Sequence, residues 1–409
     1  MPVQLKDYVP IVGQDVIDEL WVAAAKVRHR CMQHINSTSV GGGVAEILTR
    51  LIPLLRELGI EAYWDVIKGD EAFYNATKTF HNALHGKKED IKEEMFEVFR
   101  ANTEINLRDM RLNCDVIVVH DPQPAGLVRR KYEADHKWIW RCHIDVSAPD
   151  PRVWNFLKPY VEQYDASVFS MPDFAQSLSI PQFMVTPSID PLSDKNKPLS
   201  QDEIRRVLDK HQIDAKRPII TQISRFDRLK DPVGVITAYR FAKKRVDCQL
   251  VLAGGGATDD PEGEAVLAEV REAAGDDPDV HILLLPPFSD LEINALVRGS
   301  TLIMQKSVKE GFGLTVSEAL WKRKPVIGGA VGGIKLQVIN GVTGFLVHSP
   351  QGAGMRALQL LADPRLCEQM GENGYQHVKQ NFLLTRHVKD YLLLALALEH
   401  PDQDLVYLN

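Results

Sequence analysis

The stretch "EGFGLTVSEA" sets two carboxylates, Glu310 and Glu318, on either side of a turn that contains Gly311 and Gly313. An apolar run, "LIMQKS", precedes it, and a helical pattern begins near Leu314. Glu310 is therefore expected in a loop and Glu318 inside a helix, so the two acids address different parts of one bound molecule. Carboxylates accept charge-assisted hydrogen bonds from hydroxyl groups, and the amides at a helix start attract an anion. Two hydroxyl-rich rings joined by a diphosphate, a hexose and a ribose, would use both acids together with the amides of Gly313, Leu314 and Thr315. Two glutamates on a solvated helix are the plain alternative.

Three other stretches follow expected strands. "ISRFDRLKDP" packs Arg225, Arg228 and Lys230 together, and cations at the end of a buried strand suit a diphosphate. A solvated turn paired with Asp227 and Asp231 is the competing reading. "HINSTSVGGGVAEIL" runs from Asn36 through Gly41, Gly42 and Gly43 into a helix, and glycines there leave backbone N–H groups open to an anion. It is neither a Walker loop nor GxGxxG, and a loop without ligand is its alternative. "WIWRCHID" is expected to end a strand with His143 and Asp145 on one side, since strand side chains alternate. A histidine so placed acts as a base, donates to a sugar hydroxyl, or satisfies the core. "VVHDPQP" places His120 and Asp121 at a comparable strand end, which would bring both pairs to one wall.

The elements that must position these residues alternate throughout. Strands are expected at "CMQHIN", "EAYWDVI", "CDVIVVH", "WIWRCHI", "ASVFSM" and "QFMVTP", then at "PIITQIS", "QLVLAGG", "HILLLPP", "LIMQKS", "PVIGGA" and "GFLV". Helical segments such as 44–58 and 151–163 separate most of them. Val44, Leu48, Leu51, Leu55 and Leu58 recur at helical steps, with a kink expected at Pro53. Alternating strands and helices specify parallel α/β sheets. The polar segment "PSIDPLSDKNKPL" reads as a linker, which gives an N-terminal domain of residues 1–190 and a C-terminal domain of residues 191–382. The apolar helix within 383–409 is expected to fold back over the first domain. The fold class is α/β, with two Rossmann-like doubly wound domains facing across a cleft. Ligands of such sheets bind beyond the carboxyl ends of the strands.

The chain has 409 residues, more than one ordinary core holds, because single cores stop growing at about 250 to 300 residues. The formal charge, 48 minus 55, is -7, which argues against bulk nucleic-acid or anionic-membrane binding. Neither a signal peptide nor a run long enough to span a bilayer is read, so a cytoplasmic location is expected. The five cysteines show no CxxC spacing, and buried thiols are expected rather than disulfides or a metal site.

The order "SRFDRLK", "EGFGLTVSEA", "PVIGGAVGGIKLQVINGVTGFLV" resembles that of the retaining glycosyltransferases of the GT-B fold. "HINSTSVGGGVAEIL", "FHNALHG", "HDPQP" and "WIWRCHID" look most similar to the trehalose glycosyltransferring synthases among them. The resemblance implies that glucose moves from a nucleoside diphosphate glucose, ADP-glucose or UDP-glucose, to glucose. It implies that Arg225 and Lys230 neutralise the diphosphate, Glu318 holds the ribose, and Glu310 holds the transferred glucose. Gly311, Phe312, Gly313, Leu314 and Thr315 would form the donor loop, and the amides of Gly42 and Gly43 would face the phosphates. His143 would contact the glucose near its 6-hydroxyl. Asn36, His120, Asp121 and Asp145 would form a polar wall for the acceptor. No tightly bound cofactor is implied; stimulation by magnesium and a homodimer are compatible with the resemblance. A transferase with another acceptor, a nucleotide-sugar epimerase and a non-catalytic nucleotide-sugar-binding protein are the alternatives.

Overall fold

A computed structural model describes residues 3–27, 31–39, 43–133, 136–255 and 261–401. The chain divides into two compact units, one ending at Ser188 and resuming at Leu384, the other running over Ile189–Leu383.

In the first unit, runs rich in β-branched and aromatic residues form six parallel strands: β1 (Cys31–Asn36), β2 (Glu61–Val66), β3 (Val116–His120), β4 (Lys137–Arg141), β5 (Ala166–Phe169) and β6 (Gln182–Met184). They lie in the order β2-β1-β3-β4-β5-β6. β3, "VIVVH", is buried along its whole length, as expected of a strand covered on both faces. The chain moves outward from β1 to β2 and then returns past β1 to β3. Connections therefore diverge between β1 and β3, the kind of place where doubly wound sheets leave a crevice. Helix Gly43–Glu57 buries Leu48, Leu51 and Leu55 as its periodicity requires, and continues through Pro53. Helix Leu384–Glu399 packs against Gln14–Lys26 and Gly43–Glu57.

The second unit has six more parallel strands: β7 (Ile219–Ile223), β8 (Gln249–Gly255), β9 (Val280–Leu285), β10 (Leu302–Gln305), β11 (Val326–Gly329) and β12 (Gly344–Val347). Their order is β12-β11-β10-β7-β8-β9, so the reversal falls between β7 and β10. Ile220, Leu250, Leu252, Met304, Ile327 and Phe345 join one apolar core with Val235 and Tyr239 of helix Pro232–Lys243.

Three expectations change. β4 stops at Arg141, so His143 and Asp145 lie in the following loop rather than on the strand. The last ladder bonds are those in which the Arg141 carbonyl accepts from Asp121 N and Cys142 N donates to the Val168 carbonyl. Cys31 and Cys114 are joined in a disulfide, against the expectation of thiols throughout. The register explains it, since Met32 pairs with Val116 and brings both cysteines to the same end of neighbouring strands. Cys142, Cys248 and Cys367 are buried thiols. Finally, the polar segment 187–199, within which the two units divide, is packed rather than solvated. Asn196 is fully buried and donates to the Asp190 carbonyl, while Asn294 and Arg298 donate to carbonyls of Asp194, Asn196 and Lys197.

Among the described residues no helix is long and apolar enough to cross a membrane, and no group of three or more His, Cys, Asp or Glu is placed to hold a metal ion.

Candidate sugar-nucleotide site

The reversal between β7 and β10 gathers the charged motifs of the second unit. After β7 the chain enters the short 3-10 turn Arg228–Lys230, which Asp227 starts by accepting from Leu229 N at 2.7 Å. The Leu229 carbonyl accepts from Val308 N at 2.8 Å, tying this turn to the loop after β10. Lys230 and Glu310, eighty residues apart in sequence, thereby meet: Glu310 Oε2 accepts from Lys230 Nζ at 2.5 Å and from Ser307 Oγ at 3.1 Å. Glu310 is only 9% exposed, and the side chain of Lys230 20%. Arg225 is different. Its side chain is 67% exposed and held loosely, 3.6 Å from Asp227. Arg228 turns to Glu269 in a bidentate pair and takes the solvated role foreseen as the alternative.

Gly313, with φ at +81°, makes the turn that opens helix Leu314–Trp321. First-turn amides have no intrahelical acceptor, so those of Leu314 and Thr315 are available to an anion on a partly exposed helix start. Gly311 and Gly313 are partly exposed as well. Phe312 is buried against Phe382, and its carbonyl accepts from Gln337; it anchors the loop and does not present its ring. Glu318 is 3% exposed, with its carboxylate 3.8 Å from Lys195 Nζ. Two cations therefore join this site that the motifs did not single out. Lys195 comes from the polar segment, and Lys306, buried at the end of β10, pairs with Asp231. The "QKS" that closes β10 was the available signal for Lys306; nothing local marks Lys195.

In the first unit the expected acceptor residues are engaged internally. Asn36 accepts from Trp64 Nε1 and donates to the Thr38 carbonyl. Asp145 accepts from the amide and hydroxyl of Ser147. Asp121, at φ +67°, accepts from His143 N at 2.7 Å, and burial raises its carboxyl to about 6. His120 is buried, with both ring nitrogens in hydrogen bonds, to His143 and to His34. His143 is partly exposed. Burial first, and then the nearby Arg141 charge, hold its imidazole well below the ordinary range. Gly43 begins helix Gly43–Glu57; Gly42 lies outside the described residues.

Residues 34–176 match the family model described as trehalose synthase, N-terminal domain, and residues 203–377 that of glycosyl transferases group 1. The chain is 45% identical over 399 residues to a trehalose synthase of Pyrococcus horikoshii, covering 95% of each chain. This chain belongs to the trehalose synthase family. It is thus a glycosyltransferase of trehalose metabolism, with the two parallel-sheet domains of the GT-B fold. Sucrose-phosphate synthase from Thermosynechococcus elongatus shares that fold, with a TM-score of 0.71 at 18% identity over 91% of this chain and 100% of that one. So does Anabaena Alr3699/HepE, solved in complex with UDP and glucose, with a TM-score of 0.68 at 14% identity over 90% and 100%.

For this family member one backbone contact carries a clear prediction. Gly332 has φ at +45°, and a Cβ there would stand 1.6 Å from the Glu310 carbonyl oxygen. Gly332→Ala must displace the loop that carries Glu310. Since misplacement by about 1 Å costs roughly 10²-fold, turnover is expected to fall by that order. Steady-state kinetics check it, and unchanged turnover would show that the loop tolerates the shift.

Proposed function

We propose that the chain transfers glucose from a nucleoside diphosphate glucose to glucose, keeping the donor's configuration and forming trehalose. The observation that carries this reading is the meeting of Lys230, Glu310 and the helix start at Leu314 beside the reversal of the second sheet, with Glu318 one helix turn further on. In this reading Glu318 holds the ribose, and Lys230, Arg225 and the amides of Gly313, Leu314 and Thr315 take the diphosphate. Glu310 holds the hydroxyls of the transferred ring. His143 donates to or accepts from a hydroxyl of that sugar. Asp121 and Asp145 bound the acceptor, and Asn36 keeps the loop in shape. Gly42 and Gly43 supply amides to the phosphates.

The difficult step is rupture of the bond from the anomeric carbon to phosphate oxygen. Negative charge collects on the departing diphosphate while the sugar becomes oxocarbenium-like. Cations and amides fixed in advance around that charge lower the barrier, because they need no reorganisation as it develops. Lys230 begins with Glu310 as its counterion, and a diphosphate offers it a second anionic partner. The acceptor hydroxyl attacks on the face from which the phosphate leaves, and the leaving oxygen takes its proton. No protein base is then required, which suits a His143 of low basicity. Two carboxylates also suggest the covalent scheme of retaining hydrolases. Glu310, however, is already engaged by Lys230 and Ser307, an arrangement suited to positioning.

The relative solved with UDP and glucose lends support to a nucleotide-linked donor. ADP-glucose and UDP-glucose are both candidates. Release of nucleoside diphosphate should depend on added glucose. Release without acceptor would favour hydrolysis, conversion of the donor without release would favour an epimerase, and binding without either would favour a non-catalytic protein. Magnesium stimulation and a homodimer belong to the same reading, tested by chelation and by sedimentation.

A further inference from the structure

Three imidazoles from separate parts of the first sheet form one hydrogen-bonded chain. His34 lies within β1, His120 ends β3, and His143 follows β4. His34 Nδ1 is 3.0 Å from His120 Nε2, and His120 Nδ1 is 2.9 Å from His143 Nε2. The rings lie close to parallel, at 26° and 19°, with centroids 5.3 Å apart at each step. His34 and His120 are buried, whereas His143 reaches partial exposure. The remaining nitrogen of His143, Nδ1, has no hydrogen bond among the described residues. Its backbone N–H is fixed by Asp121, so ring and main chain are both held from behind.

We propose that His34 and His120 are positioning residues for the transfer reaction: through this chain they fix the ring of His143 and leave Nδ1 as the only nitrogen it offers to a sugar hydroxyl. The inference rests on the reading that His143 touches the transferred glucose.

The chemistry of the chain makes the inference specific. Burial holds His34 near a value of about 3 and keeps His120 and His143 well below the ordinary imidazole range, and Arg141 adds further opposition to charge at the last two. Helix Leu384–Glu399 covers the chain with His387 and Tyr391, whose ring packs edge-on to His34 at 5.2 Å, and among the described residues no carboxylate pairs with any of the three rings. All three imidazoles are therefore neutral and carry one proton each. Each link needs one N–H and one lone pair. With Nε2 of one ring facing Nδ1 of the next, both links form only when all three protons sit on the same type of nitrogen. A hydroxyl bound at His143 Nδ1 thus sees a donor or an acceptor whose identity is tied to the tautomer of His34, two rings away. A lone histidine on a loop would choose its tautomer independently and could turn its ring.

The test uses the full chain with 15N-labelled histidine, assigned through single His→Gln variants. Long-range 1H–15N spectra at neutral pH should show His34, His120 and His143 neutral and in one common tautomer. Opposite tautomers on neighbouring rings, or a charged imidazolium among them, would overturn the inference. Kinetics supply the second readout. Outer hydrogen-bond partners that orient metal-ligating histidines are worth roughly 10- to 100-fold; by the same positioning argument His34→Leu should lower turnover by about that range while leaving the Kd for nucleoside diphosphate unchanged. His34→Asn, whose amide stands near the place of Nδ1, should restore most of the loss. If the wild type transfers glucose and His34→Leu is equally fast, the inference fails alone. If the wild type shows no transfer, the proposed reaction fails, and the positioning role for it fails too; the spectra then still decide whether the chain exists.

Discussion

Lys230→Ala is expected to slow glucose transfer by roughly 10²- to 10³-fold, the usual loss when one fixed donor to developing negative charge is removed. The effect should fall mainly on turnover. In the proposed site a ground-state diphosphate would also be reached by Arg225 and the helix amides, whereas the extra charge of bond rupture would need the best-placed cation. The proposal gives that part to Lys230, whose side chain is mostly buried and pinned by Glu310 and so would lose little freedom on reaching a phosphate. The substitution also leaves Glu310 without its charge partner, so the melting temperature must be followed alongside the kinetics. Arg225→Ala should cost less, since its exposed guanidinium must be ordered first. The double variant should lose less than the product of the single losses, because both side chains act on one charge. Wild-type turnover in Lys230→Ala would remove the basic turn from the reaction.

Glu318→Ala is expected to act on binding instead. A carboxylate accepting from ribose hydroxyls contributes charge-assisted hydrogen bonds of about 1.5 to 3 kcal/mol, equivalent to a donor KM raised roughly 10- to 150-fold. Turnover at saturating donor should change far less, because the ribose is remote from the reacting bond. Lys195, 3.8 Å from this carboxylate, gives a further check. With Glu318 removed, its ammonium can approach the donor phosphates or ribose in a new way, so Lys195→Ala should have a different effect in the two backgrounds. Initial rates over a range of donor concentrations decide it; an unchanged KM with unchanged turnover would place the ribose elsewhere.

Much of this architecture was legible because strand-forming runs are short, apolar and bounded by turn residues. Each of the twelve expected runs overlaps a strand, and every strand starts inside its run or one residue before it. The overshoot at "WIWRCHI" has a physical origin: Cys142 and Ile144 are as buried as strand residues, so the apolar signal continues after the backbone has left the ladder. The two glutamates and Lys230 were legible as motifs but not as partners, because an ion pair spanning eighty positions is created by the order of the sheet. The same holds for the Cys31–Cys114 disulfide and for the histidine chain. His34 carries no functional signal within "CMQHIN", since a lone histidine in a strand reads as core. His120 was legible as a strand-end histidine, but its role as a link between two others appears only once β1, β3 and the loop after β4 are adjacent. The segment 187–199 misled for another reason. Its polar side chains suggest solvent, yet Asn196 is buried and donates to the Asp190 carbonyl, which composition does not reveal.

In the proposed reaction glucose is joined to glucose through both anomeric carbons with the donor's α configuration kept. Carbon-13 NMR of the product formed from anomerically labelled nucleoside diphosphate glucose and labelled glucose tests it most directly. A single symmetric α,α-linked anomeric signal with no reducing-end resonance is expected; a reducing-end signal or a β-linked anomeric carbon would rule trehalose out as the product.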